Sequence, residues 1–458
     1  MEQSRFGWLS IVRLGLVQTA LGAIVVMMTS TLNRVMVVEL ALPAILPGAL
    51  VTLHHMMQLL RPRMGYGSDV GQRRTPWIVG GMTTLALGGV GAALATTLLT
   101  RHFVPGMLLA AASFVGIGCG VSACGTSLLV LLAKRVDPGR RAAAATTVWM
   151  MMIAGFAITA TVAGKLLDPF SPARLVAVAA GISGVALVVA IAAVWGVEGK
   201  GTPPAAPAAR TAEPAPGFKT ALAQVWSEPN ARRFTMFVLV SMLAYSAQDL
   251  ILEPFAGTVF GFTPGESTKL SGVQHGGVFA GMLLVAVMTS VFKGRAAASV
   301  KGWVVGGCVA SGLAMSGLVV AAARGGGWPL KENVFLLGVA NGAFSIAAIS
   351  AMMSLASQGR GAREGVRMGL WGAAQAIAFG AGGFAGTVLV DLARTLSAPS
   401  PVAYAFVFGV EALGFFAAHA LALNTAFDAA GGAVPGRATR ALPRLGAREP
   451  YPADPRNV

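Results

Sequence analysis

The residues of this chain best placed to do chemistry are ionisable side chains inside or beside long apolar runs. Glu411 lies about ten residues into the last run. Asp249 and Glu253, four apart and therefore on one helical face, close the seventh, and Arg34 and Glu39 follow the first. A charge in hydrocarbon is expensive, so each is a candidate for holding an ion or a polar group of a substrate. For the two pairs, snorkelling or a local salt bridge is the simpler reading; for Glu411, a packed hydrogen-bonding role and a site stand level. His54, His55, His275 and His419 add imidazoles in or near the same runs. His54 and His55 point about 100° apart on a helix, so at least one should face the protein interior. No H-x-x-x-H spacing occurs, which argues against a metalloprotein centre. Cys119, Cys124 and Cys308 all fall in apolar stretches and read as packing residues rather than a disulfide framework.

A second constellation is the loop Gly65-Tyr66-Gly67-Ser68-Asp69-Val70-Gly71-Gln72-Arg73-Arg74. Its glycines allow a tight turn, and Asp69 can accept hydrogen bonds from a helix N-terminus or pair with an arginine. Gly65, Asp69, Arg73 and Arg74 resemble the major-facilitator signature between the second and third helices, where they imply an interhelix latch. The match departs at Gln72, where that signature has glycine, and Gly71 stands one place early.

The elements that must carry these residues are membrane helices. Of 458 residues, 55% are hydrophobic and 11% charged, against about 25% charged in soluble chains; mean hydropathy is +0.70. Apolar runs fall at 11–32, 42–60, 76–99, 103–133, 142–164, 172–195, 234–252, 269–292, 302–323, 333–356, 366–392 and 401–426. Each approaches the twenty or so residues a spanning helix needs. With both termini cytoplasmic, 26 of the 34 Lys and Arg residues fall on that side, as cytoplasmic loops require. The net charge of +16 therefore reflects topology and not nucleic-acid binding. The Pro/Ala-rich stretch within 201–232 reads as a cytoplasmic linker between a six-helix half at 1–200 and another at 233–426, with a disordered cytoplasmic tail at 427–458. Gly116, Gly120, Arg141, Trp149 and Gly164 reappear 222 positions later as Gly338, Gly342, Arg363, Trp371 and Gly386. Parallel six-helix repeats are a facilitator arrangement. The Gly-xxx-Gly pairs Gly116/Gly120, Gly277/Gly281, Gly302/Gly306, Gly338/Gly342 and Gly382/Gly386 allow close helix approach. No Walker loop, dinucleotide fingerprint or Ser/His/Asp pattern is found, so no enzyme activity is expected.

The stretch 13–82 is more specific. Asn33-Arg34-Val35-Met36-Val37-Val38-Glu39-Leu40, and Leu60-Arg61-Pro62-Arg63 through Thr75-Pro76-Trp77, resemble the PucC/LhaA group, the bacteriochlorophyll-delivery branch of the major facilitator superfamily in purple phototrophs. The resemblance implies an all-α integral membrane protein with twelve transmembrane helices in two six-helix pseudo-repeats, in the bacterial inner or intracytoplasmic photosynthetic membrane. It implies assembly of a light-harvesting antenna, by delivering bacteriochlorophyll or chaperoning antenna polypeptides, with pigment-biosynthesis or membrane-insertion machinery as further partners. Bacteriochlorophyll would then be bound as cargo. Asn33, Arg34, Glu39, His54, His55, Asp249, Glu253, His275 and Glu411 are the candidate pigment or substrate residues. The alternative is a secondary transporter working by alternating access.

Overall fold

The computed structural model describes residues 6–61, 64, 73–137, 140–198, 223, 226–292, 299–358, 364–396, 399–425 and 427. Twelve helices of more than ten residues, and no strand, occur among them: α1 Trp8–Glu39, α2 Ile45–Met57, α3 Thr75–Leu98, α4 Phe103–Arg135, α5 Arg141–Leu166, α6 Pro172–Val194, α7 Pro229–Phe260, α8 Pro264–Val291, α9 Val300–Arg324, α10 Leu330–Gln358, α11 Glu364–Thr395 and α12 Ser400–Leu423. Eleven are long and apolar enough to cross a membrane; α2, continued by a 3-10 turn to Leu60, is the shorter one. Leu87, Leu108, Val188, Leu336 and Leu413 are among many large apolar side chains left exposed on the outside, a surface that suits lipid and not water. The chain is a multi-pass membrane protein.

Local chemistry sets many of the helix starts. Proline opens α6, α7 and α8, where its missing amide would have no partner. Ser171 and Ser299 accept hydrogen bonds from Arg174 and Gly302, and Thr263 with Glu266 forms a reciprocal capping box. Gly261 ends α7 in the left-handed conformation, at φ 70°.

Two hydrophobic clusters fill the interior. One draws on α1 to α6 with Leu250 added from α7; the other draws on α7 to α12 with Ile153 added from α5. The glycine pairs of α8 and α10 are set face to face. A Cβ built on Gly338 would lie 3.0 Å from the Cα of Gly277, and one on Gly281 would lie 3.0 Å from the backbone nitrogen of Ala343. These backbones touch where any side chain would hold them apart.

The start of α1 and the end of α12 lie at one end of the bundle, called proximal here; the other is distal. Three sequence expectations need correction. The first helix does not stop near residue 32 but runs to Glu39 through two π-helical stretches, Met27–Leu32 and Val35–Glu39. The seventh runs to Phe260 and not 252, so Asp249 and Glu253 lie within it. Arg34 in the first and Glu253 in the second are turned into protein and do not end their helices. α7 also begins at Pro229, inside the stretch assigned to the linker. Linker residues 201–222 and tail residues 428–458 lie outside the described residues.

Candidate functional site

Asn33, Arg34, His55, Glu253 and His275 lie along the seam where α1, α2 and α5 meet α7, α8 and α11. Towards the distal end, the π-helical part of α1 presents a row of polar side chains. Ser30 and Ser271 of α8 have hydroxyl oxygens 2.7 Å apart, and those of Thr31 and Thr268 are 3.1 Å apart. Asn33 Nδ2 donates to the Leu250 carbonyl of α7 at 2.6 Å. Arg34, 2% exposed, bridges Glu39 on its own helix and the Phe262 carbonyl, 2.6 Å away on the far side of the seam. Gly257 makes room for it: a Cβ there would stand 3.0 Å from the guanidinium. π turns are frequent at functional positions, and here they set Ser30, Thr31, Asn33 and Arg34 towards the partner helices. Glu253 is buried among them, accepting from Thr268 at 3.4 Å through one oxygen, with no hydrogen-bond partner for the other.

The seam is closed further out by Asp168, which accepts from the Thr263 hydroxyl at 3.0 Å and pairs with Lys269 at 3.2 Å. Asp391 of α11 accepts from the backbone amide of Ile45 at the start of α2, 2.7 Å away.

Nearer mid-depth the lining turns aromatic. His55 stands 5.9 Å from the ring of Phe379 on α11, which is 5.8 Å from Tyr245 on α7, itself 6.3 Å from Phe344 on α10. His55 Nδ1 lies 3.2 Å from Gln58, and its Nε2 has no hydrogen bond among the described residues. His275 meets the edge of Phe156 of α5 at 5.0 Å. Its Nδ1 lies 2.9 Å from the Ser271 carbonyl, so that nitrogen carries the proton and Nε2 keeps a free lone pair. His54 is different. It is 1% exposed, where α2 lies against Gly118 of α4, within the first six helices. Of the neighbouring histidines, His55 faces the seam. Glu411 is buried on α12, and Asp249 is half-buried on α7, one turn from Tyr245 of the aromatic lining. His419 is held by the Val305 carbonyl at 3.3 Å, away from the seam.

Gly65 and Asp69 of the expected latch lie outside the described residues. At the proximal end Arg73 is exposed and Arg74 is buried. The backbone amides of Arg74 and Thr75 donate, each at 2.8 Å, to the carboxylate of Glu198, just beyond α6. Partial burial would raise that carboxyl, but the Thr75 hydroxyl, the two amides and the Arg74 charge outweigh it and hold Glu198 below the usual carboxylate range.

Sequence reading missed Ser30, Thr31, Asp168, Thr268, Lys269 and Ser271. A signal was present in Thr29-Ser30-Thr31, three hydroxyls inside an apolar run. Their partners lie more than 230 positions away, which no local pattern reveals. A separate concavity of about 880 Å³, bounded by Trp303 and Trp328, opens on the outer flank of α9 and α10. It shares no residue with the seam.

The profile of the family described as PUCC protein matches residues 31–428. "Bacteriochlorophyll synthase 44.5 kDa chain" of Rhodobacter capsulatus is 51% identical over 416 residues, covering 91% of this chain and 95% of the relative. "Protein PucC" of the same species is 31% identical over 438 residues, covering 90% and 91%. Among solved structures, a bacterial homolog of the human lysosomal transporter Spinster, inward-facing and occupied, superposes with a TM-score of 0.63 at 15% identity, covering 90% of this chain and 95% of that one. The fold is that of the major-facilitator transporters.

Proposed function

Because the chain belongs to the PUCC protein family, we propose that it is an assembly factor for a bacterial light-harvesting antenna, delivering bacteriochlorophyll to antenna polypeptides or chaperoning them in the photosynthetic membrane. The observation that carries this reading is the family match across residues 31–428. The chemistry of the seam is compatible with it. His275 has Nδ1 engaged as a donor and Nε2 open, the state in which imidazole can ligate the magnesium of a chlorin; His55, whose Nδ1 accepts from the Gln58 amide, reaches that state on giving up this bond, and aromatic side chains beside both suit a flat macrocycle.

In this reading the protein has no catalytic step of its own. The name of the 51% identical relative includes "synthase", but an assembly role asks only that this chain bind and release. The six-helix halves at 1–200 and 233–426 would flank the cargo, with both termini cytoplasmic, as the Lys and Arg count favours. Antenna polypeptides, and the enzymes or insertion machinery that feed them, are the partners.

The test is purification in mild detergent from a bacteriochlorophyll-making cell, recording pigment absorbance and co-purifying antenna subunits. Both are expected. Neither pigment nor antenna, together with solute uptake into vesicles, would replace this reading with secondary transport. That second reading is favoured by the polar closure of the distal seam, since alternating access needs contacts that form at one end only. Within the first reading, His55→Leu and His275→Leu should each lower pigment recovery at unchanged membrane abundance, whereas His54→Leu should not. Full recovery in the His55/His275 double variant would remove the histidines as ligands.

A further inference from the structure

Two buried side chains of α7 and α12 lack partners within the protein, and they stand at one level. Glu411 is buried with neither carboxyl oxygen hydrogen-bonded, and Gln248 is fully buried with neither Oε1 nor Nε2 hydrogen-bonded. Their helices run antiparallel and meet at Gly414, where a built Cβ would lie 3.0 Å from that of Ala244. Gln248 follows Ala244 by one turn, and Glu411 precedes Gly414 by almost one turn, so the amide and the carboxyl face the same gap. Asp249 is close enough to Glu411 for the two to interact electrostatically.

The gap has a floor and a way in. One turn towards the proximal end, Tyr245, Phe344 and Phe415 form a chain of ring contacts at 6.3 and 5.8 Å. Asp249 lies one turn from Tyr245 on the same face of α7 and, like it, is only half-buried, so it borders the space between the two sets of helices.

Unpartnered buried polar atoms are costly, and two neighbouring carboxylates repel each other. A single cation answers both. We propose that the carboxylates of Asp249 and Glu411, with Oε1 of Gln248, form a binding site for a hard metal cation of the sodium, magnesium or calcium class. The donor set is all oxygen, which suits those ions and disfavours copper, zinc or iron, for which thiolate or imidazole ligands are preferred. Asp249 is the entrance ligand, and Glu411 and Gln248 are the inner ones. Occupancy ties α12 to α7, the helix that also carries Asn33's partner Leu250 and buried Glu253.

The inference does not depend on the antenna role, and its test uses neither pigment nor antenna. Full-length protein, chelator-treated in detergent, is titrated with sodium, magnesium or calcium chloride against choline chloride at constant ionic strength, following Tm and metal content per chain. At least one metal should raise Tm saturably with about one ion bound per chain. Glu411→Gln and Asp249→Asn should weaken that ion by about tenfold or more, since even outer partners of a metal ligand carry that much. No metal raising Tm above choline, an undiminished response in both variants, or a response to pH alone that marks a shared proton, would each overturn the proposal. Should the variants not accumulate, the wild-type titration decides.

Discussion

The two ends of the bundle are built on different rules. At the distal end, polar groups bond across the seam: Arg34 to Phe262, Asp168 to Thr263 and Lys269, Ser30 to Ser271, and Ile45 to Asp391. At the proximal end, the bonds among the described residues stay within one set of helices. Arg13 binds the Ala193 and Trp195 carbonyls where α6 ends. Lys301 and Arg233 bind the Leu423 and Asn424 carbonyls where α12 ends. These cations satisfy orphan carbonyls at helix C-termini and strengthen each set separately. Among the described residues, the polar bonds that cross the seam gather towards the distal end, and the cations that brace each set of helices gather at the proximal one.

The largest effect should come from Arg34→Leu. It removes a buried guanidinium and takes the charged donor from the Phe262 carbonyl across the seam, and should cost about 2–3 kcal/mol, read as a lower Tm in detergent and reduced membrane abundance. An unchanged Tm would mean that the distal bonds do not hold the two sets together. Ser271→Val removes one buried hydrogen bond and should cost about 1–2 kcal/mol, because Ser30 is left unsatisfied; a Ser30→Ala/Ser271→Ala pair should recover part of it.

Asp168→Asn should change stability by less than about 1 kcal/mol, because the ion pair with Lys269 is partly exposed. It should nevertheless speed modification of a cysteine placed at Thr268 by a water-soluble thiol reagent. If the rate does not move, the pair is not part of the closure.

Glu198 gives the smallest effect, and it depends on pH. Its carboxyl is held below its ordinary value of 4.5, so its contribution is fully present above that value and is lost as pH falls through the lowered one. Tm of the native protein should therefore drop in that acid range, and Glu198→Gln should be less stable at neutral pH with the difference closing in acid. A constant gap would show that its bonds to Arg74 and Thr75 do not depend on charge.

The sequence announces the helices and hides their joints. Hydropathy locates all twelve, because lipid forces long apolar segments. It misplaces the ends of α1 and α7, because Arg34, Asp249 and Glu253 look like boundary residues until their surroundings are known. The 222-residue repeat identifies register but not role. Trp371 is 1% exposed, whereas Trp149 is half-buried against the second cluster. Gly338 touches α8 backbone, while at Gly116 the nearest atom is the Thr84 methyl, 3.9 Å from a built Cβ. Of the candidate site, the buried acids and histidines were visible one by one. That His55 faces the seam and His54 does not depends on how α2 lies against α4, which is a property of the whole bundle.

The glycine contact between α8 and α10 has a mechanical meaning. Where backbone meets backbone there are no side-chain rotamers to rearrange, so the two helices cannot slide or roll past one another by small steps. They form a girder. Any swing that parts the proximal ends must carry both together and find its bend elsewhere: α1, with two stretches of wider winding beside the seam, and α7, with Pro254 inside it, are built to supply one.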